Sequence, residues 1–329
     1  MQNNDIKVSV ICMAYNHGKY IRQALDGFVN QKTRFAYEVV VHDDASTDET
    51  ADIIREYEAK YPHIIKPIYQ TVNQYSQKIS AYQFVLPLVK GEYVAMCEGD
   101  DYWSDENKLQ EQVDALEANP DCSLCLHRVE KITEDGTLMS STFPPFEDKS
   151  RVISSEEFVP SVLDAYIYQT SCFFFRGDAF RTYASDFPKF RRVAGVGDVP
   201  YLLYFGQLGN VYYIDKIMSR YRVSSSGSWT ERNRSVGLAH AERMNLMVEA
   251  YDEFTNYKYH ESCMKRKRYN DMHICFWSKR FKDVLKKEYR EFFKKETFKF
   301  KIATYIGRYF YKLYPLAYKA YSRIKYGAK

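Results

Sequence analysis

Residues 95–108, AMCEGDDYWSDENK, end an apolar run in two adjacent aspartates, Asp100 and Asp101, and a tryptophan and a helix start follow at once. Taking bare carboxylates to the tip of a buried strand is costly, so something positive is expected to meet them there. Two adjacent aspartates in extended backbone point to opposite faces, so they need not do the same job. One can reach a metal ion while the other reaches a hydroxyl.

Outward from that stretch, strands and helices alternate. KVSVICMAY is a β-rich run, and the helix after it carries Ile21, Leu25 and Phe28 at i, i+4 and i+7. YEVVVHDD is a second buried strand. It ends at STDET, where Ser46 and Glu49 have capping-box spacing for a helix bearing Ile53, Ile54 and Tyr57. IIKPIYQ is a weaker strand, ISAYQFVLPLVKG a helix, and EYVAMCE the strand that delivers the acidic pair. The next helix starts near Ser104 and sets Leu109, Val113 and Leu116 on one face. This order predicts an α/β fold with a mostly parallel sheet that takes ligands at the carboxyl ends of its strands. Tyr15-Asn16, Asp43-Asp44 and Asp100-Asp101 all fall at such ends. A lone acidic pair would be read as a solvated turn with a cap; the apolar run before it and the second pair in HDDAS favour a divalent cation that also holds phosphate oxygens. Beyond SLCLHRVEKI the pattern becomes α+β, with strands SCFFFRG and VYYIDKIMSRYR around the helix VPYLLYFGQ, and the chain reads as helical from the polar loop VSSSGSWTERNRS to its end.

Four segments, VSVICMAYNHGKYIRQAL, YEVVVHDDASTDET, KGEYVAMCEGDDYW and GDVPYLLYFGQLGNVYYID, together resemble the successive signatures of family 2 glycosyltransferases with the GT-A fold, over about residues 6–225. The resemblance implies a Rossmann-like nucleotide-binding sheet with a C-terminal helical basic extension, and inverting transfer from a nucleotide-sugar donor. It assigns Ala14, Tyr15 and Asp44 to the nucleoside, with Asp43 beside them or bracing the loop. It makes Asp101 the metal ligand and Asp100 a ribose or donor-sugar contact, with Mn²⁺ or Mg²⁺ as the ion. Asn73 and Lys78 stand near the nucleotide and phosphates, a cation suiting a diphosphate. Asp198, in GVGDVP, is the general base, since a helix start offers N–H groups to fix a carboxylate and an ordinary aspartate is ionised at neutral pH. Arg222 and Trp229 are candidates for a phosphate contact and a closing loop, and His127 for the acceptor side. Many relatives carry a histidine where this chain has Ser224, which leaves the third metal ligand open. UDP is the family's habitual nucleotide.

Composition bounds the rest. With 329 residues, 45% hydrophobic and 27% charged, the chain is expected to be globular, as a catalytic domain over 1–235 and a helical region over 236–329. The net charge of +4 hides an asymmetry: residues 263–329 carry 20 Lys and Arg against 5 Asp and Glu, a net +15, which leaves −11 elsewhere. Basic, aromatic helices bind anionic membrane surfaces, so peripheral contact at the inner face of the cytoplasmic membrane is expected, with a glycan or lipid-linked glycan as acceptor. The tail holds no recognisable nucleic-acid module, and no nucleic-acid partner is expected. No signal peptide is expected before the first strand, and no run reaches the ~18 apolar residues of a spanning helix. Cys122 and Cys125 form one CxxC without a second pair, so the seven cysteines are expected as buried free thiols in a reducing compartment.

Other classes fit less well. GxGxxG and the P-loop are absent. A nucleotidyltransferase acting on sugar phosphates would carry a Gly- and Lys/Arg-rich loop after its first strand, and a glycosidase two opposed carboxylates across a cleft. A non-catalytic membrane or nucleic-acid binding protein built around the basic tail is the alternative outside enzymes.

Overall fold

The computed structural model describes residues 6–145, 149–165, 167–223 and 237–309. Its described residues fall in two compact units, one made of the chain up to Phe187 with Tyr201–Ser228, the other of Pro188–Pro200 with the chain from Trp229 on.

In the first unit β1 (Val8–Ala14) acts as the ruler of the sheet. It pairs in parallel with β2 (Tyr37–Asp43) on one side and β4 (Tyr93–Met96) on the other, and β3 (Ile65–Tyr69) adds outside β2. Both faces of these central strands are covered, which is why they read as continuous apolar runs. Helices α1 (Ile21–Val29), α2 (Thr50–Lys60) and, further along, α4 (Lys108–Ala118) supply the residues the sequence pattern put on their apolar faces; Ile21, Leu25, Phe28, Ile54, Leu109, Val113 and Leu116 are all buried in the sheet's core. The order β3-β2-β1-β4 reverses direction between β1 and β4, and a crevice opens at the strands' carboxyl ends at such a point.

The sheet continues through the antiparallel β9 (Phe174–Arg176) to β6 (Cys122–Ile132) and the long β10 (Asn210–Arg222), which run parallel to each other. The two-residue β5 (Tyr102–Trp103) pairs antiparallel with β10 at Ser219 and Arg220. β7 (Leu138–Phe143) and β8 (Arg151–Ile153) flank β6 and β10. Helix α5 (Ser155–Asp164) follows β8 and α6 (Gly177–Asp186) follows β9, and α8 (Asp198–Leu208) leads into β10.

Two local expectations differ. The helix read into residues 79–91 is a single turn, α3 (Tyr82–Val85), followed by a 3₁₀ turn at Leu86–Leu88, because Pro87 supplies no N–H and its ring obstructs the preceding turn. Ser46 does not cap α2; Asp48 Oδ1 takes the Thr50 N–H at 3.0 Å instead, and Ser46 is spent elsewhere. All seven cysteines are buried free thiols, as expected.

The second unit is helical: α7 (Lys189–Val193), α9 (Gly237–Phe254), α10 (His260–Trp277), α11 (Phe281–Val284), α12 (Arg290–Lys295) and α13 (Phe298–Tyr309). Met272, Phe276, Phe281, Val284, Phe300 and Ala303 share one apolar core, with the Phe276 and Phe300 rings stacked at 4.3 Å. Among the described residues no helix is long and apolar enough to cross a membrane.

Candidate active site

Register along β1 brings the three polar clusters to one rim. The last β1–β2 pair is Ala14 opposite Asp43. On the other side the ladder runs on past β4, with Cys97 N donating to Ile11 O and Gly99 N to Met13 O, which carries residues 98–101 to the same end. A Cβ at Gly99 would lie 2.8 Å from His17 Nδ1 and Ile21 Cδ1, so the turn presses against the β1–α1 loop.

At the β2 end both carboxylates hold backbone. Asp43, 2% exposed, accepts from the Ser46 hydroxyl, and Ser46 Oγ in turn accepts the Asn16 N–H at 2.9 Å. Burial pushes the Asp43 carboxyl up, and the Ser46 hydrogen bonds partly offset this. Asp44 accepts from Gln74 N at 2.7 Å and Tyr75 N at 3.1 Å through its two oxygens, and Asn73 Nδ2 donates to the Asp44 carbonyl at 3.1 Å. The loop carrying Asn73 is thereby fastened over the rim. Asn16 and Ala45 take left-handed backbone (φ 55 and 61) where the two strands end. Tyr15 is half-buried beside them, and Lys78 is exposed on the 73–78 loop.

The structure separates Asp100 from Asp101. Asp101 is 2% exposed and its Oδ1 accepts the Arg222 N–H at 2.8 Å, because β5 returns to β10 and carries the turn under that strand. Burial raises its carboxyl well above the ordinary range, and the charges of Asp100 and Glu98 raise it further. Asp100 and Glu98 are only half-buried. One oxygen of the carboxylate expected to ligate metal thus holds a backbone N–H, while Glu98 and Asp100 beside it are more exposed.

The Arg222 guanidinium, considered for a phosphate, is engaged within the chain. The side chain is nearly buried, and its Nε donates to Asp100 O (3.0 Å), Nη1 to Glu134 O (2.8 Å) and Thr133 O (3.3 Å), and Nη2 to Gln23 Oε1 (2.7 Å). It also lies 4.6 Å over the Tyr20 ring, whose hydroxyl donates to Glu134. Arg222 therefore ties the acidic turn to α1 and to the β6–β7 turn. Gln23, Tyr20 and Glu134 were not singled out in the sequence, and Ser46 was read only as a helix cap.

Behind the turn sits a fully buried cation. Lys108 Nζ lies 4.0 Å from the Trp103 ring centroid and donates to Gln112 Oε1 at 2.6 Å. Gln112 Nε2 reaches Cys172 O and Cys125 O, and Trp103 Nε1 donates to Ser171 O at 3.1 Å. Burial brings the Lys108 ammonium down to about 8. It also pushes Cys172 up to about 12 and Cys97 and Cys125 well up, so these thiols stay neutral. His127, expected toward an acceptor, is fully buried in this layer; burial drives it well below its usual value, and its Nδ1 meets Arg128 O at 2.8 Å.

Asp198 opens α8, half-buried, with its Oδ1 accepting the Val199 N–H at 2.8 Å. His240 is lowered by burial and by Arg266, and the Asp198 charge opposes this. Trp229 and Ser224 lie outside the described residues.

Among the described residues no three His, Cys, Asp or Glu side chains form a metal cage. Glu98 and Asp100 nonetheless add negative charge beside a buried Asp101, and the same charges raise Cys12. That crowding fits a cation shared between the rim and the oxygens of a bound phosphate rather than one enclosed by protein alone.

The sequence profile of Glycosyl transferase family 2 matches residues 9–184, more than half of the chain, and the protein belongs to that family. Its fold is that of GT-A proteins. An uncharacterized protein of Mycobacterium tuberculosis is 46% identical over 138 residues, 42% of this chain and 39% of that protein. A poly(ribitol-phosphate) beta-glucosyltransferase of Bacillus spizizenii is 33% identical over 106 residues, 32% of this chain and 16% of that enzyme. The chain thus spans well under half the length of these relatives. Among solved structures, S. aureus TarS 1-349 in complex with UDP superposes with a TM-score of 0.56 at 18% identity, covering 97% of this chain and 88% of that one. The mannosyltransferase PcManGT from Pyrobaculum calidifontis, in complex with GDP-Man and Mn2+, gives 0.55 at 17% identity, covering 97% and 86%. At these identities the structural likeness speaks to the fold.

Proposed function

We propose that the chain moves a sugar from a nucleoside-diphosphate donor, UDP by family habit, to a hydroxyl of a glycan or lipid-linked glycan in surface-polysaccharide synthesis. The observation that carries this reading is the convergence, at the sheet's switch point, of Ala14-Tyr15, Asp43-Asp44 and the crowded carboxylates Glu98, Asp100 and Asp101. Tyr15, Asn73 and the Asp44 turn line the nucleoside side, and Lys78 supplies a charge for the diphosphate. Asp100, with Glu98, holds the divalent cation, while Asp101 braces the turn beneath them; this divides the two aspartates the other way round from the sequence-based expectation. When bound, Mn²⁺ or Mg²⁺ offsets the charge that develops on the departing diphosphate. Asp198 accepts the proton of the acceptor hydroxyl as its oxygen attacks the anomeric carbon directly and the nucleoside diphosphate departs, a single displacement that inverts that carbon; its place at a helix start and the family resemblance support that role. The ligands named for TarS and PcManGT, UDP and GDP-Man with Mn2+, support the donor class.

The test is a thermal-shift and hydrolysis panel of UDP-glucose, UDP-N-acetylglucosamine and GDP-mannose, each with Mn²⁺ and with EDTA. At least one donor is expected to raise the melting midpoint and to be hydrolysed in Mn²⁺, with both effects lost in EDTA and in Asp100→Ala. Indifference of every donor to metal and to Asp100→Ala would overturn the reading.

A further inference from the structure

In the helical unit α13 is amphipathic in an unusual sense: both of its opposite faces are apolar. Phe300, Ala303, Thr304 and Gly307 form the buried face. A Cβ at Gly307 would stand 2.4 Å from the Phe281 ring, so that face is pressed tightly onto the helical core. At 100° per residue, Phe298, Ile302, Tyr305 and Tyr309 fall together on the opposite side. They are 77%, 41%, 47% and 61% exposed. A helix that merely caps a core presents charge at the centre of its outer face. Here the charges stand aside: on the helical wheel Lys299 lies on one flank of the stripe, and Lys301 and Arg308 on the other. Lys294 and Lys295, exposed in α12, lead into it. The stripe spans about 17 Å of helix at the α-helical rise.

The geometry points to this outer face as a docking surface for an anionic lipid bilayer. An exposed row of phenylalanine, isoleucine and two tyrosines between flanking cations matches the interface of a bilayer, where apolar side chains enter the acyl boundary and tyrosine hydroxyls and ammonium groups remain at the headgroups. The occupant is chosen by charge: residues 263–329 carry a net +15 in a chain of net +4. A second copy of this chain would bring the same positive charge against itself, whereas an anionic leaflet complements it. The surface lies wholly within the helical unit, and the inference stands independently of the donor chemistry.

Vesicle co-sedimentation of the full chain tests it, with phosphatidylglycerol/phosphatidylcholine vesicles compared with pure phosphatidylcholine. The wild type is expected to partition at least tenfold more strongly onto the anionic vesicles and to be released by salt. Phe298→Ser/Ile302→Ser/Tyr309→Ser, made at exposed positions, is expected to weaken partitioning at least tenfold with the melting midpoint unchanged. Lys299→Glu/Arg308→Glu should do the same, and keeps the apolar stripe. Three results would overturn the proposal: no partitioning of the wild type; wild-type partitioning of the triple serine variant, which would give the effect to the charge of residues 310–329 alone; or a wild-type dimer in light scattering that the triple variant abolishes.

Discussion

Replacing Lys108 by methionine removes a buried ammonium while keeping an unbranched side chain of similar length against Trp103. Fully buried, with Gln112 Oε1 as its acceptor, the ammonium is held down to about 8 in the folded chain against 10.5 for an unperturbed lysine. The folded state therefore binds fewer protons than the unfolded state between those two values, and linkage makes stability rise with pH across that window. Below about pH 8 both states are protonated and the cost of burying the charge is fully present. From pH 7 to pH 10 the wild type recovers about 2 to 3 kcal/mol relative to a chain without the group, at ~1.4 kcal/mol per unit of pKa difference. The methionine variant leaves Gln112 Oε1 without its donor, a loss that does not vary with pH and so drops out of the comparison. Urea unfolding of both chains at pH 7, 8, 9 and 10 reads the difference directly, since the other titrating groups are common to both. The wild type should gain on Lys108→Met by about 2 to 3 kcal/mol across the series. A difference flat in pH would show that Lys108 is solvated or paired with an anion, and would refute the burial argument.

The two aspartates separate by assay. Asp100→Ala should keep the wild-type melting midpoint and lose metal-dependent donor hydrolysis. Asp101→Asn should retain the hydrogen bond from Arg222 N; because the folded state raises the Asp101 carboxyl, the wild type loses stability as pH climbs from the ordinary aspartate range through that raised value, and the asparagine variant should gain on it over the same interval in unfolding measured at pH 4, 6 and 8. Arg222→Lys cannot reproduce a fork that serves Asp100 O, Glu134 O, Thr133 O and Gln23 Oε1 together, and should cost about 2 to 4 kcal/mol in chemical denaturation. Unchanged stability in that variant would show that the carbonyls find water instead.

The strands beneath the rim were legible because burial on both faces leaves a local mark: YEVVVHD is buried at every position around an apolar centre, Val39–Val41, its buried Glu38 is satisfied by the Ser9 hydroxyl, and the acids that follow mark its end. The clustering of strand ends followed from topology, since a β-α-β chain sends every carboxyl end to one edge. What the sequence could not rank was which acid faces outward. Asp100 and Asp101 are adjacent and chemically identical, and burial falls on Asp101 because β5 folds back onto Ser219 and Arg220, more than a hundred residues away. Lys108 carries no mark either, since a lysine near a helix start after SDEN reads as a solvated end. Ser46 has capping-box spacing, yet it serves Asp43 and Asn16 because the β1 loop passes within reach and leaves Asp48 to start the helix. Ser46 was read only as a cap, and Lys108 was not singled out. A carboxylate, a guanidinium or a hydroxyl takes its role from the group that satisfies it, and at this rim those groups arrive from the 73–75 loop, the β6–β7 turn, α1 and β10. The acids that brace the turns, Asp43, Asp44 and Asp101, are met by N–H and O–H donors, and the proposed cation is assigned to Glu98 and Asp100 beside them.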